Sequence, residues 1–244
     1  MKNVQHAEQL YLMEVFAMKI RLGFSKQGNI KFVGHLDLLR LFQRVIKSAD
    51  IPIAYSQGFN PHSLLYFAQA LSVGITSTGE YMDIQLEQDV SPEWVKDQIN
   101  AILPEGLEIQ RAHILTEESK TCMAVVDAAS YEIIIEKEPE DEDFITKLNE
   151  FYNQKEILVT RMSKKKSKII NIKEFIYDLS IGENETHYTL DVTLATGSRK
   201  NLNANLFVES FLENHGLERE QHIHRTELFS RQEDKFISLW KLGV

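Results

Sequence analysis

The sequence predicts an α+β fold made of two successive copies of one order: strand, helix, two or three strands, helix, strand. Three observations lead to this prediction. Alternating apolar and polar residues mark strands, apolar residues at three- and four-residue spacing mark helices, and the order found in residues 18–115 returns in residues 129–244. Residues 116–128 contain few strand formers and are predicted to link the copies, and residues 1–17 form an N-terminal extension before the first strand.

The first copy begins with an alternating strand at residues 18–24. Residues 35–49 carry apolar side chains at helical spacing, with polar residues such as Arg40 on the other face, and Pro52 ends this helix. Ser91 and Pro92 are typical of a helix start. The predicted strands after the first helix are the apolar runs 53–55, 64–73, 81–86 and 107–114.

The second copy repeats this pattern. Its predicted strands are residues 131–135, 157–160, 188–194 and 222–229, and its predicted helices are residues 140–152 and 203–214. Gly216 is suited to a left-handed cap after the last helix. Two βαββαβ units in tandem correspond to two ferredoxin-like domains, each an antiparallel sheet with helices on one face. We therefore expect each half to form its own sheet.

Composition narrows the possible functions. The chain has 244 residues, a formal net charge of −9 and one cysteine, Cys122, so it can hold neither an internal disulfide nor an iron–sulfur cluster by itself. No apolar run reaches the ~18 residues of a membrane span, and no secretory signal is apparent, which predicts a cytoplasmic protein. His222 and His224 alternate on a strand without a third ligand nearby, so no metal and no cofactor are expected.

A basic run in this acidic chain points to phosphate. Residues 161–168 carry five cations and no acid: Arg161, Lys164, Lys165, Lys166 and Lys168. Nucleic-acid backbone is the simplest target for such a cluster. The alternative is a solvated turn whose lysines are neutralised by the acidic residues at 138 and 140–143.

Two segments of the first copy contain residue types suited to binding RNA. His35 lies at the start of the first helix, where backbone N–H groups favour anions, although it can equally serve to cap the helix. Residues 55–62 form a turn that is expected to be exposed and that carries Tyr55, Gln57, Phe59, Asn60 and His62. Its amides can read base edges and its rings can stack on bases. The turn can also be an ordered loop held by its own side chains. Whether it meets His35 depends on which apolar run forms the second strand.

A third candidate segment precedes the last helix. Arg199 and Lys200 follow a single glycine in residues 196–201, and this segment resembles the glycine-containing loop that contacts RNA in ferredoxin-like proteins of CRISPR systems. The alternative is a tight turn between a strand and a helix.

Several sequence motifs, taken together, resemble those of a known family. They are Phe24-Ser25-Lys26 with Gly28, the run from Ile30 to Arg40, Pro52 to His62, Gly79 to Ile84, and Arg225 to Leu228. Through these motifs, which extend over about residues 18–230, the chain resembles the radical-SAM-associated domain family of unknown function. That family is found as a stand-alone bacterial protein or fused behind a radical-SAM enzyme. More distantly, it is similar to the ferredoxin-like RNA-binding proteins of CRISPR systems. One departure is Asn171-Ile172-Lys173, where the family has an acidic residue, Ile and Arg.

The resemblance implies a radical-SAM enzyme as partner and an RNA-related role. The leading hypothesis is a non-catalytic RNA-recognition or adaptor module that works with that enzyme in RNA or ribosome modification. One alternative is a metal-independent endoribonuclease, in which His35 or His62 activates a 2′-hydroxyl. Another is a protein-only scaffold that contacts its partner through its acidic surface.

Overall fold

The order of strands and helices follows the alternation of patterns along the chain. The computed structural model describes residues 18–139, 141, 143–163 and 166–243, so the predicted extension at residues 1–17 lies outside the described residues. The elements are β1 Met18–Lys26, α1 His35–Ser48, β2 Leu65–Phe67, β3 Thr76–Leu86, α2 Pro92–Asn100, β4 Leu107–Leu115, α3 Cys122–Val125, β5 Ala128–Glu136, α4 Phe144–Asn153, β6 Leu158–Ser163, β7 Lys166–Asn171, β8 Ile176–Glu183, β9 His187–Ala195, α5 Ala204–Asn214, β10 Gln221–Gln232 and β11 Lys235–Ser238.

The protein has a mixed α/β fold with one large, mostly antiparallel sheet. Its order is β4-β1-β3-β10-β5-β9-β8, with β2 beside β3 and β11 beside β10, while β6 and β7 form a separate hairpin. The expectation that each half forms its own sheet is therefore wrong. The halves join where β3 and β10 pair in parallel, at Thr76 with His224 and Ser77 with Arg225.

A glycine explains why the halves can join. β3 begins at Thr76, several residues before the apolar run by which it was recognised. Further along β3, a Cβ placed on Gly79 would lie 2.4 Å from the backbone oxygen of Thr226 in β10. Because glycine has no Cβ, the two backbones can approach each other closely. The polar start of β3 and Gly79 together form the seam, the name used below for this junction of β3 and β10.

Two buried ion pairs hold the seam and its surroundings. Arg225 of β10 donates to the Glu80 carboxylate through Nε at 2.7 Å and Nη2 at 2.5 Å, so one charge comes from each half. Arg21 of β1 binds Asp83 in the same two-pronged way, at 2.8 and 3.0 Å. It also donates to the backbone oxygen of Leu239 at 2.7 Å, which ties the C-terminal segment to the first half. All four charged side chains are buried.

The helices bury their apolar faces on the sheet. In α1 the buried residues are Leu38, Phe42, Val45 and Ile46, which pack with β1, β3 and β4. The predicted start of α2 is confirmed, because Ser91 Oγ accepts a hydrogen bond from Trp94 N at 3.3 Å and Pro92 follows it. A second apolar cluster lies under α4 and α5. Most of its residues belong to the second half, and some belong to the first half. No helix in the described part of the chain is long and apolar enough to cross a membrane.

The segment predicted as a linker packs against the sheet. It contains α3, and the side chain of Cys122 is buried. Cys122 N donates to Asp83 Oδ2 at 2.6 Å, and its Sγ donates to the backbone oxygen of Tyr66 at 3.2 Å. Burial, reinforced by the charge of Asp83, raises the pKa of this thiol well above its usual value. Cys122 is therefore a structural residue held as a neutral thiol.

Candidate functional site

A groove of about 790 Å³ runs along the polar face of α1. One wall is α1 and the other is the loop of residues 55–63, which is called the loop wall below. Eleven residues line the groove: Asp37, Arg40, Gln43, Arg44, Lys47, Ile53, Tyr55, Asn60, Pro61, His62 and Ser63.

The α1 wall is cationic because of helical spacing. Arg40, Arg44 and Lys47 recur at four- and three-residue intervals and are all exposed on the face opposite the buried one. The acid among the lining residues, Asp37, binds Arg40 at 3.1 Å. The side chains of Arg40 and Asp37 are 69% and 70% exposed. Such an exposed pair contributes little stability and leaves Arg40 accessible to an anion. The groove is thus locally positive in a chain whose net charge is −9.

The loop wall is closed at its base by hydrogen bonds. Tyr55 and Ser63 form an antiparallel bridge, and Ser56 N donates to the backbone oxygen of His62 at 2.9 Å. The Ser56 hydroxyl also lies 2.7 Å from His62 Nδ1 and accepts from His62 N at 3.1 Å. These contacts fix the backbone of the loop base and the orientation of the His62 ring, which is exposed.

The structure brings together four of the six residues predicted in this region. Arg40, Tyr55, Asn60 and His62 line the groove, whereas Gln57 is exposed on the loop outside it. β2 takes the position of the second strand, so His62 precedes that strand. The ring of His35 packs edge-on against Phe67, with centroids 5.5 Å apart. His35 and His62 are therefore not brought to one site.

The described residues of the basic run lie in the paired strands β6 and β7. Arg161 is in register with Lys168, whose side chain is exposed. Lys164 and Lys165 lie outside the described residues, as do the side chains of Arg161 and Lys166. Of the acids expected to neutralise the run, Asp141 instead binds Arg219 at 2.6 Å.

The loop of residues 196–201 borders a second cavity, of about 330 Å³. Both of its predicted cations bind acids there: Arg199 contacts Asp127 at 2.5 Å and Lys200 contacts Glu174 at 2.9 Å. The following helix is capped by Asn203, whose side chain accepts from Asn205 N at 2.9 Å. Each of these two cations is paired with a carboxylate, as Arg40 is paired with Asp37.

The two histidines of β10 are not arranged to bind one metal ion. His224 lies between the hydroxyls of Thr76 and Thr78, at 2.8 and 2.9 Å from its two ring nitrogens. Burial lowers the pKa of His224, although Glu132 and Glu80 act in the opposite direction. His222 is exposed. Among the described residues there is no group of three or more His, Cys, Asp or Glu side chains that could hold a metal ion.

Sequence reasoning missed two residues that line the groove. Arg44 and Lys47 lie beside Arg40, and they could have been found from their helical spacing to it. Phe59, which belongs to the turn predicted to be exposed, is fully exposed on the loop wall.

Comparison with known proteins identifies a family for this chain. A family described as "Uncharacterized protein conserved in bacteria (DUF2344)" matches residues 19–204. No curated protein matches the chain.

Three solved structures show weak similarity. A structure of a Cbf5–Nop10–Gar1 complex is 11% identical, covers 91% of this chain and has a TM-score of 0.48. The chain spans about half of that matched protein, 52% of its length. An unknown protein from Galdieria sulphuraria is 12% identical, with 86% of this chain and 98% of that chain covered and a TM-score of 0.25. A putative glycine cleavage system transcriptional repressor is 10% identical, with 86% and 99% covered and a TM-score of 0.23. These scores are too low to support any argument about function.

Proposed function

Because this chain belongs to a family of uncharacterized proteins conserved in bacteria, we propose its function from its own groove: it is an RNA-recognition module that binds RNA between α1 and the loop wall. The observation that carries this proposal is the row of Arg40, Arg44 and Lys47 on one exposed helix face. In a chain with a net charge of −9, such a local excess of cations attracts an anionic ligand to this face. RNA phosphates are repeated anions at a spacing that a row of cations can follow.

The other lining residues suit the remaining parts of a nucleotide. The arginine side chains can bind phosphate oxygens with two parallel hydrogen bonds. Asn60 can accept from and donate to a base edge, and the rings of Tyr55 and His62 can stack on a base. The resemblance to RNA-binding proteins of CRISPR systems favours RNA over DNA as the ligand.

The resemblance also supports an adaptor role. We propose that the protein presents RNA to a separate radical-SAM enzyme, in RNA or ribosome modification in the cytoplasm. The iron–sulfur cluster and its cofactor would belong to that enzyme, because this chain has only Cys122, and a cluster needs several thiolates.

We further propose that each half has the strand connectivity of a ferredoxin-like domain, with the two halves sharing one sheet. The support is the strand order, which is β4-β1-β3-β2 around the first half and β10-β5-β9-β8 in the second. In both halves the first and third of the four strands lie side by side. On this interpretation the β6–β7 hairpin is an insertion into the second domain.

A pair of matched double variants tests RNA binding. Arg40→Gln with Arg44→Gln removes two groove cations, and Arg199→Gln with Lys200→Gln removes two cations that bind acids elsewhere. Both change the net charge equally. The probe is a fluorescein-labelled, mixed-sequence, single-stranded RNA, with DNA of the same sequence as a second arm, and affinity is measured by anisotropy at several salt concentrations.

We expect the groove variant to bind RNA at least about tenfold more weakly and to reduce the salt slope by about 1.4, since each lost contact on a single strand contributes about 0.7. The control variant should match the unsubstituted protein. Equal losses in both variants, or no RNA binding by the unsubstituted protein, would contradict the proposal and favour the protein-only scaffold. Equal affinity for DNA would contradict the RNA preference.

A second function has one observation in its favour, the exposed His62 in the groove with its ring oriented by Ser56. In a metal-independent endoribonuclease His62 would act as the general base, whereas His35 packs against Phe67. Incubation of the RNA probe with protein in EDTA tests this. Cleavage at one position that is lost in His62→Ala would establish the nuclease, and intact RNA after binding would support the module.

A further inference from the structure

We propose that the groove takes single-stranded RNA, whose unpaired bases stack on Phe59 and Tyr55 while its phosphates contact α1. This inference rests on the proposed RNA binding and specifies the substrate class of the same site. Its basis is the exposure of two aromatic rings on the loop wall, one of which lines the groove with the cations of α1.

The loop wall presents two aromatic rings to solvent. Phe59 is fully exposed at the tip, and Tyr55 is 46% exposed at the base, where it lines the groove. A single exposed apolar residue needs no explanation. Tyr55 lines the groove together with the cations of α1, and Phe59 directly precedes the lining residue Asn60. Exposed rings beside a row of cations are the combination by which proteins bind unpaired nucleotides: the rings stack on bases and the cations bind the backbone.

The loop that carries these rings is ordered before any ligand binds. Its base is closed by the Tyr55–Ser63 bridge and by the bonds between Ser56 and His62. At the tip, Gly58 has a φ of +127°, while nothing lies within 4 Å of where its Cβ would be. Glycine is therefore required there for the backbone conformation and not for packing. A loop held in one shape loses less conformational entropy on binding.

The aromatic rings discriminate against duplex RNA. In an A-form helix the base faces are stacked on one another, and side chains reach only the edges in a shallow minor groove and the phosphates. Phe59 and Tyr55 could then gain no stacking. The groove volume of about 790 Å³ is within the range of about 300–1,000 Å³ typical of small-ligand sites, which suits unpaired nucleotides. Asn60 and His62, on the same loop, can contact the edge of a base that is stacked there.

The test compares Phe59→Leu, which removes the ring but keeps an apolar side chain, with Phe59→Trp, which keeps a stacking surface. The probes are a ten-nucleotide RNA of adenosine and uridine and the same strand annealed to its complement. We expect the unsubstituted protein to bind the single strand at least about tenfold more tightly than the duplex. Phe59→Leu should weaken single-strand binding by about 5- to 140-fold, the loss of one base stack, without changing the salt slope. Phe59→Trp should retain affinity, and its indole fluorescence should be quenched by the single strand.

The outcomes separate this inference from RNA binding itself. If the Arg40/Arg44 variant loses affinity while Phe59→Leu binds like the unsubstituted protein, or if duplex binds as well as single strand, the stacking inference is overturned and RNA binding stands. If the unsubstituted protein binds neither probe, both proposals fail. Thermal melting of Phe59→Leu should match the unsubstituted protein, because the ring has no buried contact to lose.

Discussion

The seam and the groove use the same residue types in opposite ways. At the seam, the guanidinium of Arg225 is buried and bound by Glu80, and burial opposes its charge while Glu80 raises the pKa above its usual value. In the groove, Arg40 and Arg44 are exposed on a helix face. An arginine buried against a carboxylate therefore stabilises the fold, whereas an exposed arginine, even one paired as Arg40 is, remains accessible to a ligand.

The sequence motifs that carry the family resemblance also fall into a buried group and an exposed group. Gly79 to Ile84 and Arg225 to Leu228 meet at the seam, where Tyr81 donates to Glu227 at 2.6 Å and Arg111 contacts the same carboxylate at 3.6 Å. Burial and the charge of Glu227 raise the pKa of Tyr81, so this hydroxyl stays protonated. Those motifs specify the fold, whereas the motif from Pro52 to His62 forms the loop wall.

The largest expected effect is at the buried ion pair. Glu80→Ala leaves Arg225 as an unpaired buried charge and should lower the free energy of unfolding by about 3–5 kcal/mol. The matched exposed change, Asp37→Ala, removes the partner of Arg40 and should cost at most about 1 kcal/mol. Urea denaturation measures both.

The double variant Glu80→Leu with Arg225→Met sharpens this test. It replaces both charges by apolar side chains and should recover much of the loss, because no charge is then left unpaired. Equal stability of the Glu80→Ala and Asp37→Ala proteins would show that the seam and the groove do not differ in this respect.

The next effect concerns the close approach of β3 and β10. Gly79→Ala places a Cβ against the backbone oxygen of Thr226 and should destabilise the protein by about 1–3 kcal/mol. Gly182→Ala is the control, since its Cβ would have 3.9 Å to the nearest atom, Thr189 O, and should stay within about 0.5 kcal/mol of the unsubstituted protein. If denaturation gives equal values for the two variants, Gly79 is not what permits the seam.

A smaller effect is a pH dependence at the same seam. His224 has a pKa lowered by burial in the folded state, so the unfolded chain binds a proton more readily. Its contribution to stability is present above the unfolded pKa of about 6.5 and is lost as the pH falls below it. His224→Gln should therefore lose less stability than the unsubstituted protein between about pH 7 and pH 5, as urea denaturation at each pH would show. Identical pH profiles would mean that His224 is not the group that titrates.

The smallest effect on stability is expected in the groove. Arg40→Gln with Arg44→Gln should change the free energy of unfolding by no more than about 0.5 kcal/mol, because the side chains are exposed. A loss as large as that of Glu80→Ala would mean that these arginines hold the fold, and it would remove the basis for regarding them as a binding surface.

Local patterns predicted the local elements well. The alternation at residues 18–24 and the spacing of Leu38, Phe42 and Val45 are set by which face is buried, and the structure has β1 and α1 there. The pairing of β3 with β10 was missed because it depends on Gly79 and on two polar residues at the start of β3, none of which alternates with apolar residues. The burial of Cys122 was missed for the same reason, since its contacts with Asp83 and Tyr66 are distant in sequence.

The candidate site was predictable in part. Arg40, Tyr55, Asn60 and His62 were named from their chemistry, and the helical period that placed Arg40 on the polar face also places Arg44 and Lys47 there. Sequence could not reveal that Arg199 and Lys200 bind acids, because Asp127 and Glu174 approach them only in the folded chain.

The ion pair across the seam also sets a time at which the protein can fold. Glu80 and Arg225 are 145 residues apart, so at about 5–20 residues per second a ribosome needs roughly 7–30 s to make the partner after the acid has been synthesised. During that interval the carboxylate of Glu80 has no guanidinium and must remain in contact with water. The interval is longer for Arg21, because the backbone oxygen of Leu239 that it binds is made 218 residues later. The seam is therefore completed by a strand made late, whereas the apolar cluster of α1, β1, β3 and β4 has all its buried residues between Ile20 and Ile109 and needs no later part of the chain.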